Sequence, residues 1–279
     1  MKTALITGGA GGLGFEFAQL ALQDGYQVVL VDVQAENLAQ AKQTLEKQYP
    51  AKVYTICQNL ALPNAGQTLF DELKMERLEV DMLINNVGIG SFGNFWEINW
   101  EKQQVLLQLN VHLLTQLTYL VLPDMIAKGR GKILNVASMA AFQPCPLMAT
   151  YYASKSYTLY LSEALANETK GTGVTVTAFC PGPIPTGFQD AVAPRKIKQK
   201  FTIFHDTAES AARTGYKGMM RGKTVVVNTW ANWIMSALPR FVPRKVITSL
   251  TRKMQEANAK SMVQPTYTKE SEKMQKSSH

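Results

Sequence analysis

The chain alternates short apolar runs with longer stretches whose apolar residues recur every three or four positions. Lys2 to Thr7 is dense enough to be a strand buried on both faces, and Phe15, Ala18 and Leu22 after it follow helical spacing. The pair repeats. Gln27 to Asp32 reads as a strand, and Gln34 to Gln48 as a helix with Leu38, Ala41 and Leu45 on one face. Val53 to Cys57 is a third strand, Asn64 to Arg77 a helix with Asn64 as its N-cap, and Asp81 to Asn85 a fourth strand. Trp100 to Lys128 is a long helix, apolar over so much of its circumference that it has to be covered on more than one side. Gly131 to Ser138, a helix running to about Lys170, and Val174 to Phe179 continue the series. Strict alternation of strand and helix predicts βαβ units, hence an α/β fold with a mostly parallel sheet and helices on both faces. Ligands of such sheets bind at the carboxyl ends of the strands, where Gly8, Asp32, Asn59 and Asn86 emerge.

Composition narrows the class. At 279 residues and 46% hydrophobic content the chain can build one large core, and its 18% charged residues argue against general disorder. Cys57, Cys145 and Cys180 are odd in number and far apart, without metal-ligand spacing, as expected of reduced thiols in a cytoplasmic setting. The apolar start stops at Gly8-Gly9 and enters the fold directly, unlike a signal peptide. No stretch reaches the roughly 18 uninterrupted apolar residues of a membrane span. The net charge of +8 is concentrated late: residues 191–254 hold 13 Lys and Arg against 2 Asp and Glu.

The first strand runs straight into Gly8-Gly9-Ala10-Gly11-Gly12-Leu13-Gly14 and then into a helix. That order presents bare backbone N–H groups and a helix N-terminus where a pyrophosphate can sit. Asp32, eighteen residues beyond Gly14, ends the second strand and can accept hydrogen bonds from ribose hydroxyls. It would repel a 2′-phosphate, and neither Val33 nor the glycine loop offers a compensating cation. NAD is favoured over NADP.

A second constellation lies at Ser138 to Lys155. Tyr151 and Lys155 are four apart on one helix, close enough for an ammonium to favour the phenolate and pull the phenol's pKa below its reference of about 10. Ser138 ends the fifth strand at the same edge and can hold a substrate oxygen. The loop Phe142 to Met148 is apolar, as a substrate wall would be. Asn110 lies inside the long helix, either satisfied locally or turned to the site; His112 reads as an ordinary helix residue. Pro181 to Thr186 holds three prolines and forms a rigid loop at the nucleotide edge.

Thr7–Gly14 (TGGAGGLG), Asn85–Gly88 (NNVG), Asn110, Ser138, Tyr151–Lys155 (YYASK) and Pro181–Thr186 (PGPIPT) together resemble the short-chain dehydrogenase/reductase family over residues 1 to about 190. The resemblance implies a Rossmann-type, doubly wound sheet of seven strands, the last being Lys223 to Val227. It also implies roles: Tyr151 as general acid/base, Ser138 orienting the substrate oxygen, Lys155 binding the nicotinamide ribose and lowering the Tyr151 pKa, and Asn110 holding a relay water. Thr7, Gly8, Gly12, Leu13, Gly14, Asp32, Asn59, Leu60, Asn86 and Gly88 would hold the adenosine and pyrophosphate side. Pro181, Gly182, Ile184 and Thr186 would hold the carboxamide, and Phe142, Cys145, Leu147 and Phe188 would touch substrate. Asn59 replaces the family's usual aspartate, and Val87 the alanine of NNAG. With the later LPRFVPRK pattern, Val87 is similar to the long-chain 3-oxoacyl-CoA and 17β-hydroxysteroid reductase branch. Those relatives generally prefer NADPH, in conflict with Asp32; Asp32 takes precedence here because it would contact the cofactor.

The expected organisation is a dehydrogenase domain over 1–227, with a substrate lid at 191–222, basic amphipathic helices at 228–254 and a polar tail at 255–279. Thr207 to Met220 reads as a helix capped by Asp206 or Thr207. In the C-terminal helices Trp230, Trp233, Ile234 and Leu238 fall at helical spacing, followed by Val242, Val246, Ile247, Leu250 and Met254. Three readings stand: packing on the domain or a partner subunit, lying on an anionic membrane surface, or attracting an anionic substrate such as an acyl-CoA. No nucleic-acid recognition motif accompanies the charge. The expectation is an NAD-dependent oxidoreductase of a lipophilic secondary alcohol or ketone, working as a homo-dimer or homo-tetramer. The rival is a catalytically silent nucleotide-binding scaffold or sensor at a membrane surface.

Overall fold

The computed structural model describes residues 1–185 and 206–262. Thr186, Phe188, residues 191–205 of the lid expected over 191–222 and most of the polar tail lie outside the described residues. Seven parallel strands form one sheet in the order β3-β2-β1-β4-β5-β6-β7. They are β1 (Thr3–Thr7), β2 (Gln27–Asp32), β3 (Val53–Cys57), β4 (Val80–Asn85), β5 (Gly131–Val136), β6 (Val174–Cys180) and β7 (Val225–Val227). The last is shorter at its start than the expected Lys223 to Val227. Side chains alternate between two cores, as the strand's twofold period requires. Ala4 and Ile6 face a cluster with Phe17, Leu30, Leu45 and Phe179, while Leu5 faces the opposite one with Leu69, Leu83, Leu117 and Ile133. Both faces are covered, which is why the strands read as continuous apolar runs.

Helices α1 (Gly12–Gln23) and α2 (Ala35–Gln48) lie on the first face with α7 (Ala208–Met220), whose N-cap is Thr207, accepting from Ser210 N at 3.1 Å. The second face carries α3 (Ala65–Met75) and the helical run Trp100–Ala127. Asn64 precedes α3 but is left-handed (φ 59°) and caps nothing with its side chain. The long run is one path with three parts: α4 (Trp100–Leu107), a π-helical segment Gln108–Leu113, and α5 (Leu114–Ala127). It is apolar and long enough to cross a membrane, yet Leu109, Leu113, Leu117, Val121 and Met125 are buried in the second core. Helix α6 (Ala149–Glu168) packs beside it.

After β7 come α8 (Trp230–Ala237), a 3-10 turn Leu238–Arg240 and α9 (Arg244–Met262). Only part of the expected stripe from Val242 to Met254 docks: Ile247 is buried and Met254 half-buried. Ile247, Thr251 and Gln255, one per turn, are the buried positions, while Val246 and Leu250 stay exposed. Thr251 Oγ1 donates to Pro144 O at 3.1 Å and Gln255 Nε2 to Met148 Sδ at 3.6 Å. One apolar and two polar side chains thus set the orientation, Thr251 on loop backbone and Gln255 on a methionine sulfur.

Candidate active site

Every strand ends at one edge of the sheet, and β1 and β4 part company there. Gly8 turns out of β1 with φ +65°, and Gly14 lies so close that a Cβ on it would sit 2.0 Å from the Gly8 carbonyl oxygen. Only glycine closes that turn. Helix α1 starts at Gly12 with Gly11 as N-cap and no capping side chain, so its first N–H groups face outward. Leu13 is half-buried against the first core. The far wall is stapled on by two residues. Thr7 Oγ1 accepts from Asn86 N at 3.0 Å and Val87 N at 3.1 Å, and Asn86 Nδ2 donates to Thr7 O and Gly8 O, both at 3.0 Å. Asp32 closes the β2 side: Oδ2 accepts from Ala10 N at 3.3 Å, and Oδ1 from Val33 N at 2.8 Å and Gln34 N at 3.2 Å. Asn59 is exposed beyond β3, accepting from Ala61 N at 3.0 Å, and Leu60 beside it is buried. Close backbone, uncapped N–H groups and a terminal carboxylate fit a dinucleotide.

Ser138 leaves β5 two residues after its end and caps the 3-10 turn Met139–Phe142, its Oγ accepting from Ala140 N at 3.1 Å. The same side chain lies in hydrogen-bonding range of the Tyr151 hydroxyl. Tyr151 is buried beside Leu106 and Ala140, with the Tyr152 ring edge-on at 6.0 Å. Lys155 follows one turn later, also buried; its Nζ donates to Val136 O at 2.8 Å and stands 5.9 Å from the Tyr151 ring centre. The structure corrects the expected pKa. Burial pushes the Tyr151 phenol up to about 12, only partly offset by Ser138, and burial lowers Lys155 to about 8. Loss of hydration outweighs an ammonium that is turned to a strand carbonyl.

Asn110 sits in the π segment, a departure from the α ladder often found at functional sites. Its Oδ1 accepts from Ile89 N at 3.0 Å, and its Nδ2 donates to Ile89 O at 2.9 Å and Ser154 Oγ at 3.0 Å. Ser154 Oγ in turn donates to Tyr151 O at 2.7 Å. Asn110 therefore fastens the loop after β4 to α6, the helix of Tyr151. A Cβ on Gly88 would lie 2.9 Å from Asn110 Oδ1 and 3.5 Å from Lys155 Nζ, so this glycine lets the cradle and the lysine meet.

In the loop before α6, Phe142 and Leu147 are half-buried, and Leu147 is left-handed (φ 68°), its carbonyl accepting from Gly93 N at 2.9 Å. The Cys145 thiol is buried beneath the loop among Tyr152, Thr251 and Gln255, and burial pushes its pKa up. On the β6 side, Pro181 O accepts from Met139 N at 2.9 Å, Gly182 N donates to Asn228 Oδ1 at 3.0 Å, and Ile184 is buried. A buried chain of amides escaped the sequence reading. Asn85 Nδ2 donates to Thr118 Oγ1 at 3.1 Å and Asn135 Oδ1 at 2.9 Å, and Asn135 Nδ2 donates to Ser162 Oγ at 2.9 Å. It ties β4 and β5 to α6; two asparagines near the ends of otherwise apolar strands were its only signal.

The sheet, its glycine cradle and the serine–tyrosine–lysine cluster at one edge define a Rossmann-like dinucleotide-binding oxidoreductase. The chain belongs to the short chain dehydrogenase family, whose model matches residues 2–196. Among curated proteins it is 28% identical to very-long-chain 3-oxoacyl-CoA reductase of Mus musculus over 262 residues, 90% of this chain and 80% of that one. It is 31% identical to dehydrogenase/reductase SDR family member 4 of Bos taurus over 208 residues, 72% and 74% of the two chains. Among solved structures, a Burkholderia phymatum family member in complex with NAD superposes with TM-score 0.77 at 25% identity, covering 90% of this chain and 95% of that one. One from Sphingobium yanoikuyae in complex with NADPH gives 0.75 at 25%, covering 86% and 94%.

Proposed function

We propose that this chain interconverts a lipophilic secondary alcohol and its ketone with NAD. The observation that carries the reading is the Ser138–Tyr151–Lys155 cluster at the same sheet edge as the glycine cradle. The bound dinucleotide supplies or accepts the hydride. Thr7, Gly8, Gly12, Leu13, Gly14, Asp32, Asn59, Leu60, Asn86 and Gly88 hold its adenosine and pyrophosphate side, and Lys155, Pro181, Gly182, Ile184 and Thr186 its nicotinamide side. Ser138 Oγ positions the substrate oxygen and Tyr151 moves the proton at that oxygen. With its pKa up at about 12, the phenol is protonated at neutral pH, the form that donates when a ketone is reduced. Alcohol oxidation needs the phenolate, which Lys155 favours while it is charged. Both amide hydrogens of Asn110 are committed, so its hold on a relay water comes through Oδ1 or the main chain.

Asp32 supports NAD, since its carboxylate ends the ribose side without a cation to meet a 2′-phosphate. The relative named for very-long-chain 3-oxoacyl-CoA and the apolar Phe142 and Leu147 support a lipophilic substrate. Exposed Tyr119, Tyr157 and Tyr160 on the helices beside the site support subunit pairing. The test is a panel of medium- and long-chain ketones and alcohols, 3-oxoacyl thioesters and steroids, followed at the NADH absorbance band with NAD(H) and NADP(H). Turnover of an apolar carbonyl with NADH supports the reading; no absorbance change across the panel would turn it toward a nucleotide-binding scaffold.

A further inference from the structure

Helix α8 has the sequence WANWIMSA, and none of its eight residues is buried. Trp233 is 65% exposed, and Leu238 and Phe241 continue the surface at 56% and 83%. On α9, Val246 and Leu250 are exposed beside the docked face of Ile247, Thr251 and Gln255. An exposed apolar surface this continuous marks a contact site. Its border is basic: Arg240, Arg244, Lys245, Arg252 and Lys253 fall in residues 228–254, which contain no acidic side chain.

We infer that α8 and α9 form a docking face for an anionic lipid bilayer. Charge selects the occupant. Arg252 is paired with Glu256 at 2.7 Å, and a second copy placed face to face would still set Arg240, Arg244, Lys245 and Lys253 against the same four, whereas anionic headgroups neutralise them. Tryptophan and phenylalanine suit the boundary between headgroups and acyl chains, with Lys and Arg at headgroup level. The face is also fixed to the catalytic loops. Asn228 Oδ1 accepts from Gly182 N at 3.0 Å and from Asn232 Nδ2 at 2.9 Å, and Thr251 Oγ1 holds Pro144 O. Docking therefore anchors the loops around Tyr151 close to the lipid surface, where a lipophilic alcohol or ketone is concentrated. The docking itself needs no particular substrate, so its test stands apart from the proposed reaction.

The experiment is co-sedimentation of the full chain with vesicles of phosphatidylcholine and phosphatidylglycerol, and with phosphatidylcholine alone. Sedimentation velocity without lipid runs in parallel. The wild type binds the anionic vesicles and releases them as salt rises. Trp233→Ser with Phe241→Ser lowers the vesicle association constant at least tenfold. Arg244→Glu with Lys245→Glu does the same, each near-surface cation contributing about fivefold. Both pairs keep the wild-type melting temperature and NADH affinity. If the apolar pair misfolds, the charge pair, on exposed side chains, carries the test alone. The inference is overturned if the wild type ignores anionic vesicles or if the variants bind as it does. It is equally overturned if the variants only break a lipid-free oligomer, which makes the face a subunit interface.

Discussion

Replacing Lys155 with methionine separates what the site needs from what the fold prefers. The ammonium is 5% exposed, and burial lowers its pKa from 10.5 to about 8. At about 1.4 kcal/mol per pKa unit, keeping it charged costs the fold about 3 kcal/mol at neutral pH. Methionine removes that cost but also the 2.8 Å bond to Val136 O, a loss of about 1–2 kcal/mol. Lys155→Met is therefore more stable than the wild type by about 1–2 kcal/mol at pH 7, a rise in Tm of about 2–4 °C. The sign has a pH signature. Between about pH 8 and 10.5 the unfolded chain binds more protons at this lysine than the folded one, so wild-type stability rises across that window. The advantage of Lys155→Met is full below about pH 8, shrinks as pH rises, and reverses once the lysine is neutral and keeps its hydrogen bond. Thermal unfolding of the dinucleotide-free proteins from pH 7 to 10 reads this, and turnover falls by about a hundredfold or more. A variant less stable at pH 7, or a gap that ignores pH, would refute the reasoning.

Three further outcomes follow from the same geometry. Gly14→Ala forces a Cβ to within 2.0 Å of the Gly8 carbonyl, so dinucleotide binding measured by fluorescence titration is lost; wild-type affinity would contradict the cradle. Asp32→Ala narrows the NAD-to-NADP preference in kcat/KM at least tenfold, and an unchanged ratio would remove Asp32 from the ribose site. The alcohol-oxidation rate rises with pH as the Tyr151 phenol, up at about 12, begins to ionise, and flattens above about 8 as Lys155 loses its charge; a rate fastest in acid would exclude this proton path.

The candidate site was legible because its parts are local. Gly8 to Gly14 and Asp32 each follow a strand whose apolar run is unmistakable, and Tyr151 and Lys155 are one helical turn apart. What was not legible depends on contacts distant in sequence. The π segment around Asn110 adds no residue pattern of its own to an apolar helix. The Tyr151 pKa moved the other way because burial by Leu106 and Ala140, brought from separate segments, outweighs the neighbouring lysine. Periodicity gave a stripe of Val242, Val246, Ile247, Leu250 and Met254 on α9, but of these only Ile247 is fully buried, because Thr251 and Gln255 turn inward to meet Pro144 O and Met148 Sδ. Asn64 has the right residue type for a cap, yet its left-handed backbone carries the side chain away from the helix.

Tyr151→Phe tests the central claim most directly. It removes one hydroxyl from a buried ring and leaves Gly8, Asn86 and Asp32 untouched. With a substrate found at the NADH band, turnover falls by about a thousandfold or more while NADH affinity stays within about threefold of wild type. Undiminished turnover in Tyr151→Phe would contradict the account.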